Sequence, residues 1–392
     1  MFENKFFKVL GIRNKEELSE FSRVAKVPQK KLKYYNEEVI FPIGEDLRKI
    51  IECLDISELE LRLKLGIIDN STLHLIEQNS SQISKLLKPN QDSVQTKINL
   101  EPAFKTDKGT LYQADCLDVI RAIPNESVDM IFADPPFNLD KVYESEMNDN
   151  LTKEAYLKWT EEWLLGCINL LKEGGSLFIW NLPYWNTYTA EILNKYLTFR
   201  HWIAAEVKYR LPIKNKLYPA HYSLLYYTKG DKPATFNQER LPLEICRHCG
   251  GDIKDYGGYK DKLNLEGITL SDVWKDISPV RHSKYKTRDS NQLPVNLLER
   301  VISLSTNEDD VIFDPFGGSG TTYIVSEALR RNWIGSEIGP IDSIVARFKD
   351  IDFHKDQIKK IQNKKNILFT EEMRSLRRKK GHWLPETLGK KH

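Results

Sequence analysis

Two apolar stretches of strand-like composition each run into a loop that no ordinary turn requires, and they constrain the fold more than anything else here. Val128-Asp129-Met130-Ile131-Phe132-Ala133 reads as a buried strand that ends at Asp134-Pro135-Pro136-Phe137-Asn138-Leu139. Far downstream, Val311-Ile312-Phe313-Asp314 reads as another, followed by Pro315-Phe316-Gly317-Gly318-Ser319-Gly320 and a helix over Thr321–Leu329. A further strand, Trp333–Ile338, carries Glu337 near its end. Around the first loop, Leu111–Asp115 reads as a strand, Cys116–Ala122 as a helix and Tyr156–Leu171 as a helix stopped by Lys172-Glu173-Gly174-Gly175, with a strand at Ser176–Trp180. Strands alternating with helices predict an α/β fold with a parallel sheet. In such sheets ligands bind beyond the carboxyl ends of the strands, where both loops fall.

The first loop offers acceptors in a stiff frame. Proline has no amide hydrogen and a fixed φ, so Pro135 and Pro136 hold their carbonyls in place beside the Asp134 carboxylate. Two acceptors suit a group with two hydrogens, such as the exocyclic amine of a nucleobase. That amine is a poor nucleophile because its lone pair is delocalised into the ring, and two acceptors on its hydrogens draw it toward a tetrahedral geometry. Phe137 supplies an apolar face on which an extruded base can stack. The bland alternative is a rigid turn that ends a strand.

The second loop is built for close approach to its backbone, since its glycines lack side chains. A phosphate loop needs a lysine after its last glycine and Thr321 stands there; the G-x-G-x-x-G dinucleotide pattern is absent too. Glu337 lies roughly twenty residues beyond the loop, where Rossmann-like folds place a ribose-binding carboxylate.

With these residues in hand, the chain resembles the amino-methyltransferases that modify adenine or cytosine in DNA. The order of the motifs resembles the β class, in which the catalytic half precedes the cofactor half. The resemblance implies a Rossmann-like, circularly permuted sheet that binds S-adenosylmethionine and methylates a flipped base within a short recognition sequence. It implies catalytic roles for Asp134, Pro135, Pro136 and Phe137, and cofactor contacts from Asp115, Asp314, Phe316, Gly317, Gly318, Gly320, Glu337 and Gln292. Gln292-Leu293-Pro294 stands where the family usually has Gln-Lys-Pro, so Leu293 removes a charge. An aspartate at position 134 is the commoner choice in adenine N6 enzymes, with cytosine N4 the alternative. A non-catalytic DNA-binding regulator, or methylation of RNA or protein glutamine, are the remaining alternatives.

The length of 392 residues predicts two or three domains. Their boundaries are read as 1–65, helical; 66–105, a linker with helical pieces; 106–229, the catalytic half; 230–290, target recognition; 291–350, the cofactor half; and 351–392, a basic tail. Within 1–65, Lys15–Phe21 and Gln29–Tyr35 read as helices, with Pro28 in the first positions of the second. The pair resembles the helix-turn-helix of phage repressors of the Cro/CI type, which would place Gln29, Lys30 and Lys33 toward a major groove. The turn at Val24–Val27 departs from that family in having no glycine.

In the target-recognition region Lys254, Tyr256, Arg281, Lys284 and Arg288 interleave charge with aromatic surface, which suits phosphates and bases. Cys246 and Cys249 form half of a zinc-knuckle pattern, but no second Cys-x-x-C completes it, so zinc is the minor reading. The net charge of +2 does not by itself call for a polyanion, although the tail (Lys359-Lys360, Arg377-Arg378-Lys379-Lys380, Lys390-Lys391) is basic. Five irregularly spaced cysteines, no bilayer-length apolar run and no signal pattern point to the cytoplasm. Expected partners are double-stranded DNA, a cognate restriction endonuclease and a second copy in a homodimer, and no membrane.

Overall fold

The computed structural model describes residues 4–87, 100–138, 150–206, 214–215, 217–218, 220–245, 262, 264, 267–277, 292–363, 370–382, 384 and 386. Candidates Cys246, Cys249, Lys254, Tyr256, Arg281, Lys284 and Arg288 lie outside these residues. The chain divides into two compact units, residues 1–96 with 138–142 and 148–161, and the remainder.

The first unit is helical: α1 (Lys5–Val9), α2 (Lys15–Ala25), α3 (Gln29–Glu38), α4 (Gly44–Leu54), α5 (Glu58–Leu65), α6 (Asn70–Gln78) and α7 (Ser80–Leu86). Its core gathers Phe7, Leu10, Ile12, Leu18, Ala25, Val27, Leu32, Tyr35, Leu47, Ile50 and Leu61. Asn14 starts α2 by accepting from the Glu16 and Glu17 amides, a side-chain cap. Pro28 stands at the N-cap of α3, one place ahead of the helical position expected for it. Between the two helices, Lys26 takes the left-handed conformation (φ 52°, ψ 37°). The turn thus has the geometry a glycine would favour, on a residue that lacks glycine's freedom. Ala25, Val27, Leu32 and Tyr35 are buried around it, while Gln29 and Lys30 are exposed and Lys33 is half-buried. Tyr35 donates to Asp46 at 2.7 Å, and burial with that bond pushes its hydroxyl up to about 12.

Among the described residues the second unit holds a nine-stranded sheet. Its strands are β1 (Phe104–Lys105), β2 (Gly109–Tyr112), β3 (Val128–Ala133), β4 (Leu171–Asn181), β5 (Thr198–Glu206) and β6 (His221–Thr228), a small separate pair β7 (Arg240–Leu241) and β8 (Ile268–Thr269), then β9 (Val273–Trp274), β10 (Val311–Asp314) and β11 (Asn332–Ser336). The order is β1-β2-β11-β10-β3-β4-β6-β5-β9. From β2 to β4 neighbours are parallel, and β6 runs antiparallel to both β4 and β5.

The connecting helices are α8 (Cys116–Ala122), α9 (Lys153–Leu170), α10 (Pro183–Leu193), α11 (Val295–Ser305), α12 (Thr321–Ala328), α13 (Asp342–Lys349), α14 (Ile351–Asn363) and α15 (Glu371–Lys379). Leu297, Leu298, Val301, Ile302, Val325 and Ile358 pack on one sheet face with Met130, Phe132, Phe178 and Ile312. Ile131, Leu177 and Ile179, which point the other way, are equally buried, so both faces are covered, as a parallel sheet requires.

Three details differ from the sequence expectation. The α9 helix ends at Leu170 and β4 begins at once, with Leu171 opposite Val128 and Ser176 opposite Met130. Lys172–Gly175 is therefore an irregularity inside a strand, made possible by Gly174 at φ 78°, and not the loop that precedes it. Lys172 earns its place there by binding Asp129, which also accepts from the Val311 amide at 2.8 Å. The β11 strand stops at Ser336, leaving Glu337 just beyond it. Finally, the start of the basic tail is a core helix, since Ile358 of α14 is buried in the main cluster, and Arg377 of α15 is buried as well.

Replacing Lys26 with glycine relieves the left-handed strain. We expect Lys26→Gly to slow hydrogen exchange of the α2 and α3 amides in the full chain by an amount worth up to about 1 kcal/mol. Lys26→Val, β-branched, should speed it.

Candidate active site at the carboxyl edge of the sheet

The β10–α12–β11 connection leaves the sheet in one direction and β3–α9–β4 in the other, so the β3/β10 boundary is a topological switch point. The two strands pair in parallel, Ile312 with Met130 and Phe313 with Ile131. The Asp134 loop and the glycine loop therefore emerge side by side at the same edge.

The glycine loop is held from several sides. The Gly317 amide donates to the Ser336 carbonyl at 2.8 Å, and the Gly320 amide to the Gly317 carbonyl at 2.7 Å. Gly318 and Gly320 sit at φ 54° and 71°, where side chains are strained. A Cβ on Gly317 would lie 2.6 Å from the hydroxyl of Tyr323, which donates to the Asp314 and Ser336 carbonyls. Below the loop Asp314 is buried, with Oδ1 accepting from the Phe316 amide at 2.9 Å. Trp163 sets its ring edge-on to Phe316 at 5.1 Å.

Glu337 spans this loop and the next. Oε2 accepts from the Gly318 amide at 2.6 Å and Oε1 from the Gly339 amide at 2.8 Å. Its backbone carbonyl accepts from Ala114, which brings Asp115 to the same strand-end cluster. Asp115 caps α8 through the Leu117 amide and is otherwise exposed. Gln292 is buried near the start of α11, and the next residue, Leu293, accepts from the Thr321 hydroxyl at 3.2 Å. Asp115, Asp314, Phe316, Gly317, Gly318, Gly320, Glu337 and Gln292 are thus assembled around one loop.

In the neighbouring loop Asp134 is half-buried and Pro135 buried. The Phe137 ring is only 8% exposed and lies 5.8 Å from Tyr222, which leans on Trp180 at 5.1 Å. Its face is therefore part of an aromatic wall rather than presented alone. The indole of Trp185 donates to the Phe137 carbonyl at 2.7 Å and pins the loop. Trp185 and Tyr222 escaped the sequence reading. Trp185 follows β4 within Pro183-Tyr184-Trp185, and an aromatic cluster after a strand was its only signal. Among the described residues no group of His, Cys, Asp and Glu is placed to hold a metal, and no helix is long and apolar enough to cross a membrane.

A parallel sheet whose central strands end in a glycine loop, a carboxylate and an Asp-Pro-Pro loop is the arrangement that the resemblance to amino-methyltransferases implies. The DNA methylase family model matches residues 128–342. The chain is 49% identical over 373 residues to Type II methyltransferase M.BamHI of Bacillus amyloliquefaciens, covering 93% of this chain and 88% of that protein. It is 30% identical over 238 residues to DNA adenine methyltransferase YhdJ of Escherichia coli (strain K12), covering 60% of this chain and 80% of that one. Among solved structures, PvuII DNA methyltransferase (cytosine-N4-specific) aligns with a TM-score of 0.48 at 20% identity, over 68% of this chain and 95% of that one. The chain belongs to the DNA methylase family.

Burial drives the Asp314 carboxyl up from the usual 3.8 to about 7. The folded state therefore holds a proton that the unfolded chain releases, and stability falls as pH rises through that window, by up to about 4 kcal/mol. Asp314→Asn keeps an acceptor for the Phe316 amide but cannot titrate. Urea unfolding at pH 5 and pH 8 should show the wild type losing more stability than the variant between the two.

Proposed function

We propose that this enzyme transfers the methyl group of S-adenosylmethionine to the exocyclic N6 amine of an adenine flipped out of duplex DNA. The observation that carries the reading is the pairing of β3 with β10, which sets Asp134-Pro135-Pro136 beside the glycine loop. The donor set fits the cofactor: Glu337 suits the ribose hydroxyls, Asp115 the adenine amine, and the loop over Asp314 the amino-acid end. Glu337 already takes an amide on each oxygen, yet each oxygen keeps a lone pair, so it can brace the loop and still accept from a hydroxyl.

S-adenosylmethionine, when bound, supplies an electrophilic methyl on a sulfonium. Asp134 accepts one hydrogen of the target amine and the Pro135 carbonyl accepts the other, which frees the lone pair from the ring. The freed lone pair would then be open to the methyl that the bound cofactor would supply, with the S–C electron pair staying on sulfur, and the surplus proton would depart through Asp134 to water. The Trp185 bond to the Phe137 carbonyl holds the acceptors in line, and the Phe137–Tyr222–Trp180 wall gives the flipped base a surface to stack on.

Support for adenine comes from aspartate at position 134 and from the Escherichia coli relative, whose name specifies adenine. The amine of cytosine N4 presents the same two hydrogens, so the product decides. Labelled methyl transfer to unmethylated DNA, followed by digestion to nucleosides, should yield N6-methyladenine. N4-methylcytosine would overturn the base assignment. Asp134→Ala should lower the rate by at least about 100-fold with cofactor affinity little changed.

The Type II designation of the Bacillus amyloliquefaciens relative supports a place in a restriction–modification system with a cognate endonuclease. The same reading gives the first unit a DNA contact of its own. Arg23, Lys26, Lys30, Lys31 and Lys33 fall in an acid-free stretch around the α2–α3 turn, and of these Lys31 is paired with Asp46. Lys30→Ala with Lys33→Ala should weaken duplex binding and flatten its salt dependence by roughly one to two units of slope. An unchanged slope would leave α3 off the DNA.

A further inference from the structure

Arg347 is a buried cation with unfinished business. It reaches from α13 to the underside of the glycine loop, where Nη1 donates to the Ser319 carbonyl at 2.6 Å and to the Thr321 hydroxyl at 3.0 Å. Its side chain is 3% exposed. Nε and Nη2 are buried and have no acceptor. Among the described residues it forms no ion pair, and it is the one cationic side chain whose hydrogen bonds end on this loop.

The helix that follows the loop adds positive potential. Thr321 opens α12, whose first amides carry the positive end of the helix dipole. Leu293, bonded to the Thr321 hydroxyl through its carbonyl, brings no charge. Burial and the Arg347 charge hold the His354 ring below its usual range. Burial lowers Arg347 itself only to about 10, which leaves it charged at neutral pH. A buried charge without a counter-ion is strongly disfavoured, and removal of water leaves its field undiminished.

We infer that Arg347 is the positioning residue for the carboxylate of the cofactor's amino-acid end, and that this anion is the counter-charge the fold leaves open. It acts in two ways. It fixes the Ser319 carbonyl and the Thr321 hydroxyl, so the loop amides face the ligand, and it supplies the cation that Leu293 does not. This rests on S-adenosylmethionine as the cofactor. The carboxylate is the one anionic group of that molecule, so the inference specifies which atoms of the ligand Arg347 serves.

The test is calorimetric binding of S-adenosylmethionine and of decarboxylated S-adenosylmethionine, which keeps the sulfonium, amine and adenosine but has no carboxylate. Wild-type protein should prefer the carboxylated ligand by at least about 10-fold. Arg347→Met should lose about 10- to 100-fold in affinity for S-adenosylmethionine and stay within about twofold for the decarboxylated ligand. Arg347→Lys should recover part of the preference. Equal loss for both ligands marks a structural role only and overturns the inference, as does an Arg347→Met variant that binds both normally. Wild-type protein that binds the two ligands equally overturns it with no variant at all, which covers a variant that fails to fold. If the wild type binds neither, the cofactor assignment has failed, a separate result.

Discussion

The parallel pairing of β3 with β10 is the contact on which the rest depends. Residues far apart in sequence meet there through a few backbone hydrogen bonds, and the loops that follow are aimed at one edge. Each strand sends its helix the opposite way, which opens the crevice between the loops. Asp129 secures the other end of this junction by joining β3 to the Val311 amide of β10 and to Lys172 of β4. Where the strands are locked at one end, the loops at the other can be built for chemistry without risk to the register.

Two ionisable groups around this edge are placed where folding alone would not put them. Asp314 is buried deeply enough to hold a proton well above its usual range, and Arg347 is buried with two donors unused. Protein interiors seldom bury ionisable groups so deeply. Both lie directly under the glycine loop, and both become intelligible when the loop is read as one wall of a ligand site. The aromatic wall of Phe137, Tyr222 and Trp180 beside them is the contrasting surface, apolar and close-packed.

Much of this was legible in the sequence. The strands at Val128–Ala133 and Val311–Asp314 fall where their apolar runs predict, because a strand covered on both faces has no need to alternate. The Asp134 and glycine loops were legible because their compositions have few other uses. The strand irregularity at Lys172–Gly175 was not, since a pair of glycines after a helix reads as a stop whether or not the chain goes straight into a strand. The α2–α3 turn was legible, but not that Lys26 would take there the conformation a glycine favours. Arg347 was invisible for a different reason. It stands three residues after the buried Ile344 on an amphipathic helix, and only the fold shows that its charge ends beneath the glycine loop.

The most direct test of the shared edge is hydrogen–deuterium exchange with and without saturating S-adenosylmethionine. The account predicts protection at Gly317–Thr322, Glu337–Gly339 and Asp115–Leu117, extending across the strand boundary to the amides of Asp134 and Phe137. Protection at the opposite edge of the sheet, or at the glycine loop with none at its β3 neighbour, would contradict it.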